Sequence, residues 1–191
     1  MLELNEIKNL YKEGSTKILV NYYRRFQKKY SELKNELTVN KSELLKIDFR
    51  YYKGILNFAS HGFDTINYLL DSNIVLNDEI IISKNYDYFK KDPTVSMSFV
   101  NNNIKFCLTG NDINDPIFEI DMFFKEYKVE IFNLGDKVNI FYKNKTKTYD
   151  SLILNYMIDV YACLKNIYFY QNINDNFVES INLNKQLLKV S

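Results

Sequence analysis

Between Thr94 and Asn144 the hydrophobic period of the chain changes from about 3.6 residues to 2, and no other feature constrains the fold as much. The segments TVSMSFV (94–100), IKFCLT (104–109), IFEIDMFF (117–124), YKVEIFNL (127–134) and KVNIFYKN (137–144) alternate apolar and polar residues and are separated by short spacers. A short spacer cannot carry a crossover connection, so consecutive strands must run antiparallel. The pattern therefore predicts a β-meander. Gly135 and Asp136 read as a two-residue turn pairing Leu134 with Lys137, which brings Val129 opposite Tyr142 and Ile131 opposite Ile140. NIVLNDEIIIS (73–83) predicts one further hairpin turning at Asn77 and Asp78, for five to seven strands in all.

Helical patterns flank the sheet. Ser15 is placed to cap a helix reaching about Leu37, in which Leu19, Tyr22, Tyr23, Phe26, Tyr30, Leu33 and Leu37 recur at three- and four-residue steps. Leu45, Phe49, Tyr52, Leu56 and Ala59 predict a second helix over 43–59 with Gly62 as its C-terminal stop, and a short third helix starts after Asp64. Beyond the meander, Asp150 caps a helix to about Tyr170 whose Ile153, Met157, Val160, Leu164 and Ile167 stripe is suited to lie on the sheet; a final amphipathic helix runs from Asp175 to about Lys189. The reading is a single α+β domain over 1–191: a helical N-terminal part (1–72), a central antiparallel meander (74–144) and C-terminal helices (150–189) packed on the sheet.

Composition excludes several classes. With 191 residues, 46% hydrophobic, 16% aromatic, 26% charged and a net charge of +1, the chain has the make-up of an ordered globule rather than a disordered tail. Cys107 and Cys163 are the two cysteines, too few for a disulfide framework or a four-thiolate zinc site, so a reducing compartment is expected. MLELNEIKNLYKEG has acids and no apolar run, hence no signal peptide, and nowhere do eighteen apolar residues follow one another. The expected location is the cytoplasm, with no membrane partner.

Three residue groups are candidates for function. NYYRRFQKKYSELK (21–34) mixes rings and cations as a nucleic-acid-binding surface does, and Lys17, Arg24, Arg25, Lys28 and Lys29 fall in a stretch without any acid. On a continuous helix, however, the rings segregate from Arg24, Arg25 and Lys28, whereas single-strand binding needs bases stacked beside neutralised phosphates. The rings then belong to the core, and the cations form a solvated face or a site for nucleic acid or an acidic partner. On the sheet, Phe118, Ile120, Met122 and Phe124 share one side, leaving Glu119 and Asp121 on the other with Glu130 of the next strand. Three carboxylates suit Mg²⁺, and Glu126-Tyr127-Lys128 resembles the acid-x-Lys pair of restriction-type nucleases; Lys105, Lys128 and Lys143 equally make this face an ordinary charge-balanced surface. Phe123, Phe132 and Phe141 share the same face, either beneath a helix or as an exposed protein-binding patch. His61, the lone histidine, sits before Gly62 in SHGFD and reads as a helix C-cap rather than a member of a triad with Ser60, Cys107 or Cys163.

No Gly-rich phosphate loop, metal-ligand spacing or catalytic group emerges, so no cofactor and no metal are expected. These readings favour a non-enzymatic protein-binding protein, in the manner of a small toxin-immunity or anti-defence inhibitor. The alternatives are nucleic-acid binding through the basic helix, or a metal-dependent nuclease built on the sheet carboxylates.

Overall fold

The computed structural model describes residues 6–7, 9, 11, 18–39, 42–77, 79–86, 89–111, 115–153, 156–170 and 176–191. The expected cap Ser15, the basic Lys17, the turn residue Asp78 and the helix start Asp175 lie outside them. The described chain is α+β, with helices α1 (Lys28–Val39), α2 (Ser60–Leu70), α3 (Tyr156–Tyr170) and α4 (Phe177–Leu187). Its strands are β1 (Leu44–Tyr52), β2 (Ile80–Asn85), β3 (Thr94–Asn101), β4 (Ile104–Asn111), β5 (Phe118–Phe124), β6 (Tyr127–Phe132), β7 (Lys137–Tyr142) and β8 (Lys145–Tyr149). They form one eight-stranded sheet in the order β2-β3-β4-β1-β5-β6-β7-β8.

The sheet is mixed, which corrects the expectation of a purely antiparallel meander of five to seven strands. Strand β1 occupies the segment expected to be a helix over 43–59, and it pairs parallel with β4 and antiparallel with β5. Leu45, Phe49 and Tyr52 satisfy a helical spacing, but Ile47, Phe49 and Tyr51 satisfy a two-residue one, and all three of the latter are buried on one face. Burial of that face contributes about 1.5–3 kcal/mol per large side chain, enough to override local helix preference. The Tyr51 hydroxyl completes the seam by accepting from the Val95 N–H at 2.7 Å.

Register corrects a second expectation. Phe132 pairs with Lys137, so Val129 faces Ile140 and Ile131 faces Val138, and the β6–β7 connection is a four-residue loop. Asn133, Leu134 and Gly135 all adopt left-handed backbone there, at φ 51°, 55° and 86°. The observed pairing is displaced by two residues from the expected one, and a two-residue slip leaves every side chain on its own face. Alternation alone therefore cannot distinguish the two.

The apolar face of the sheet (Ile47, Phe49, Val95, Met97, Leu108, Ile120, Met122, Val129, Ile131 and Ile140) joins Tyr30, Leu33, Phe63, Ile66, Leu69, Leu183 and Leu187 of the helices in one buried core. Helix α3 departs from expectation: its main described neighbours are the Tyr23–Phe26 turn rather than the sheet, and Ile158, Tyr161, Leu164 and Phe169 are exposed. No described helix is long and apolar enough to cross a membrane.

Candidate functional site

The site is assembled where β1 hands over to α2. After Tyr52 the chain reverses through left-handed backbone at Lys53 (φ 46°) and Gly54 (φ 73°). The Asp92 carboxylate then accepts the N–H groups of Leu56 at 2.7 Å and Asn57 at 3.0 Å, anchoring the start of a six-residue π-helical turn, Gly54–Ala59. This turn runs directly into α2. Residues four apart lie on one helix face, so Asn57 in the π turn and His61 in the first turn of α2 reach the same cavity. His61 is thus on the first turn of α2, not a C-terminal cap. Gly62 is inside the helix, where a Cβ would lie 2.0 Å from the Phe49 Cζ. Gly62 is the point at which α2 touches the sheet.

The cavity has a volume of about 520 Å³. Its walls are Asn21, Tyr23 and Arg24, then Asn57, Phe58 and His61, the start of β5 (Pro116–Phe118), Leu134 of the β6–β7 loop, and Tyr156 of α3. Tyr22 packs its ring edge-on to His61 at 5.1 Å, and Tyr23 lies 5.9 Å away. Burial, reinforced by the positive charge of Arg24, lowers the His61 imidazole to about 4, so it is neutral at physiological pH. A neutral imidazole can both accept and donate one hydrogen bond, and here it stands in the wall with Asn21, Asn57 and Arg24 among apolar and aromatic side chains.

Arg24 is 5% exposed. Its guanidinium lies 3.6 Å from the Phe118 ring centre and 4.6 Å from that of Tyr23, and one nitrogen donates to the Leu134 carbonyl at 2.6 Å. Gly135 lets the loop approach, since a Cβ there would stand 2.4 Å from Arg24 Nε. Its neighbour Arg25 faces elsewhere, bidentate to Asp64 at 2.5 and 3.1 Å and bound to Glu179 at 2.8 Å. Burial pushes the Asp64 carboxyl up to about 6 against the pull of Arg25, which still leaves the pair ionised at neutral pH.

These placements dismantle the expected basic face. The expected helix from Ser15 to Leu37 is interrupted: Tyr23–Phe26 is a 3₁₀ turn, Gln27 is extended (φ −76°, ψ 130°), and α1 begins only at Lys28. A helical wheel cannot be carried across that break, so Arg24 and Arg25 turn inward while Lys28 is exposed and Lys29 donates to the Asp150 carbonyl at 2.5 Å.

On the second sheet face the structure does bring Glu119, Asp121 and Glu130 together, with Asp121 opposite Glu130. They are neutralised in place. Arg50 reaches Glu119 at 2.7 Å and Asp121 at 3.7 Å, and Lys128 reaches Glu130 at 2.6 Å and Asp121 at 3.5 Å. Among the described residues no group of three His, Cys, Asp or Glu is arranged to hold a metal ion. Phe123, Phe132 and Phe141 share this face and are half-buried, but Lys128 stands between Phe123 and Phe141 in register and lies 4.9 Å from the Phe123 ring. They do not form one continuous patch. The sequence reading missed Asn57, Arg24 and Tyr156 as wall residues; the available signal was the polar pair Asn57 and His61, four apart in the apolar run GILNFASHGF.

No family model and no curated protein matches the chain. Solved structures match almost all of it. A dehydrogenase (MviM) from Clostridium difficile covers 97% of this chain at 17% identity and TM-score 0.69. KijD10, a 3-ketoreductase from Actinomadura kijaniata in complex with NADP, covers 98% at 7% identity and TM-score 0.70. UDP-N-acetylglucosamine 3-dehydrogenase GnnA from Acidithiobacillus ferrooxidans covers 98% at 11% identity and TM-score 0.69. The chain spans about two thirds of these proteins, 65%, 64% and 64% respectively. The expectation of a non-enzymatic inhibitor of the toxin-immunity or anti-defence kind is therefore corrected: the fold is one carried by dehydrogenases and reductases.

The NADP of the KijD10 structure raises the question of a dinucleotide site in this chain. Dinucleotide sites of the doubly wound kind need parallel βαβ units and a Gly-rich turn that frees helix N–H groups for phosphate. Here β1 and β4 are the parallel pair of the described sheet, and the Asp92 carboxylate already takes the N–H groups that open the turn after Gly54. A carboxylate in that position repels phosphate. The described residues therefore do not form a dinucleotide site of the doubly wound kind.

Proposed function

We propose that this chain is the substrate-binding part of an oxidoreductase acting on a hydroxyl or carbonyl group. The neutral His61 imidazole, beside Asn57 in the wall of the 520 Å³ cavity, carries the reading. It is supported by a shared fold with a 3-ketoreductase and a 3-dehydrogenase, which names interconversion of a ring hydroxyl and a ketone as the class of chemistry. In this reading the substrate oxygen hydrogen-bonds to His61, which would take up the hydroxyl proton while the hydrogen on carbon leaves as hydride to a nicotinamide cofactor, or would return the proton on the reverse reduction. Asn57 offers a second donor to the same oxygen, and Tyr23, Phe58, Phe118 and Tyr156 supply the apolar walls that exclude water.

The test is titration with methyl glucoside and its 3-keto derivative, followed through the His61 imidazole resonances. Binding should move those resonances, and His61→Gln and Asn57→Ala should each weaken it about tenfold, equivalent to about 1.4 kcal/mol. Ligands that bind without moving His61, or equally well to both variants, would overturn the reading.

A further inference from the structure

We infer that the cavity takes a substrate bearing a carboxylate, held by Arg24 while the reacting oxygen meets His61. The inference rests on the proposed oxidoreductase reading and names its substrate class. Arg24 is the formal charge in the cavity wall, it is 5% exposed, and among the described residues no carboxylate lies within ion-pair distance of it. Its Nε is buried with no hydrogen-bond acceptor. The groups in contact with it are neutral (the Leu134 carbonyl, the Phe118 and Tyr23 rings, and the Tyr23 and Tyr30 hydroxyls), while Asp64 acts on it only at longer range. The contrast with Arg25 is direct, because Arg25 has Asp64 and Glu179. A buried guanidinium with no carboxylate in contact is costly, and in native proteins such a charge is usually paired directly.

A ligand carboxylate in the cavity supplies that counter-charge through a charge-assisted hydrogen bond to the guanidinium. One negative charge matches one arginine, whereas a phosphate dianion would leave an excess charge in a wall of tyrosine, phenylalanine and proline. The ligand would also act on the chemistry. Burial is the larger cause that holds His61 neutral and Arg24 the smaller, so a carboxylate screening Arg24 raises the imidazole part of the way back towards its ordinary value. Substrate charge and general-base strength are coupled through a single side chain.

The experiment compares methyl glucuronide, methyl glucoside and glucose 6-phosphate on the full chain, with affinities from calorimetry and the His61 titration from NMR. The glucuronide should bind at least tenfold more tightly than either other ligand and should raise the His61 pKa, while methyl glucoside leaves it unchanged. Arg24→Gln should bring the glucuronide-to-glucoside ratio close to one. Should that variant fail to fold, the ligand comparison on the unmodified chain decides alone. Equal affinity for glucuronide and glucoside, with His61 resonances responding to both, overturns the carboxylate and leaves the oxidoreductase reading standing. Preference for the phosphate overturns the carboxylate in favour of a phosphorylated ligand. Three ligands that all leave His61 unmoved overturn both readings.

Discussion

Replacing Gly62 by alanine tests how α2 is held on the sheet. The new Cβ would lie 2.0, 2.3 and 2.7 Å from three carbons of the Phe49 ring. That ring is 3% exposed and is packed against Tyr51, Phe63 and Phe118 with centroid separations of 5.6, 6.0 and 5.5 Å, so it has no free direction in which to turn. Overpacking of this severity costs about 3 kcal/mol, the upper part of the usual range, and the better helix propensity of alanine returns about 1 kcal/mol. A net loss of about 2 kcal/mol is expected, which for a chain of this size lowers Tm by about 4–8 °C. The assay is urea and thermal denaturation of Gly62→Ala, Phe49→Leu and the double variant. Because the clash is with the ring, the double variant should lose less than the two single losses combined. The same lift of α2 moves His61, one residue away, so Gly62→Ala should also weaken ligand binding in the cavity. A Gly62→Ala chain as stable as the parent, or simple additivity with Phe49→Leu, would refute the close contact between α2 and the Phe49 ring.

Arg25→Glu should cost about 3–5 kcal/mol in a urea melt, since it leaves buried Asp64 facing a like charge, whereas Lys28→Glu on the exposed side of α1 should cost under about 0.5 kcal/mol. Phe132→Ala, on the charged face and half-buried, should cost about 1 kcal/mol by thermal denaturation, well short of the 3–5 kcal/mol of a core phenylalanine. The folded-state pKa of His61 is depressed to about 4 from 6.5, so its contribution is fully present above pH 6.5 and is lost as pH falls towards 4. His61→Gln should therefore lose less stability than the parent between those pH values, read as the difference in urea midpoints; Asp64, raised to about 6 from 3.8, acts with the opposite sign over much of the same range and is common to both chains.

Some of the site was legible in the sequence and some was not. His61 and Asn57 were visible as polar residues four apart in an apolar run, but the turn that places them in the cavity wall is anchored by Asp92, 35 residues from Asn57 in sequence. Arg24 and Arg25 were visible as a pair of cations. Their opposite fates follow from the extended backbone at Gln27, which breaks the wheel on which they were assigned a common face.

The sequence by itself determined which residues of the sheet face inward. Phe118, Ile120 and Met122 are buried and Glu119, Asp121 and Glu130 are on the other side, because pleating fixes a period of two whatever the strand pairs with. Tertiary structure alone decided that β1 is a strand, that it lies between β4 and β5, and that β6 and β7 pair two residues away from the tight-turn register. Alternation is a local property carried by adjacent residues, whereas strand order and register are settled by burial and hydrogen bonds between segments far apart in the chain. Lys46 is paired with Lys105 and with Phe123, partners that no local pattern can specify.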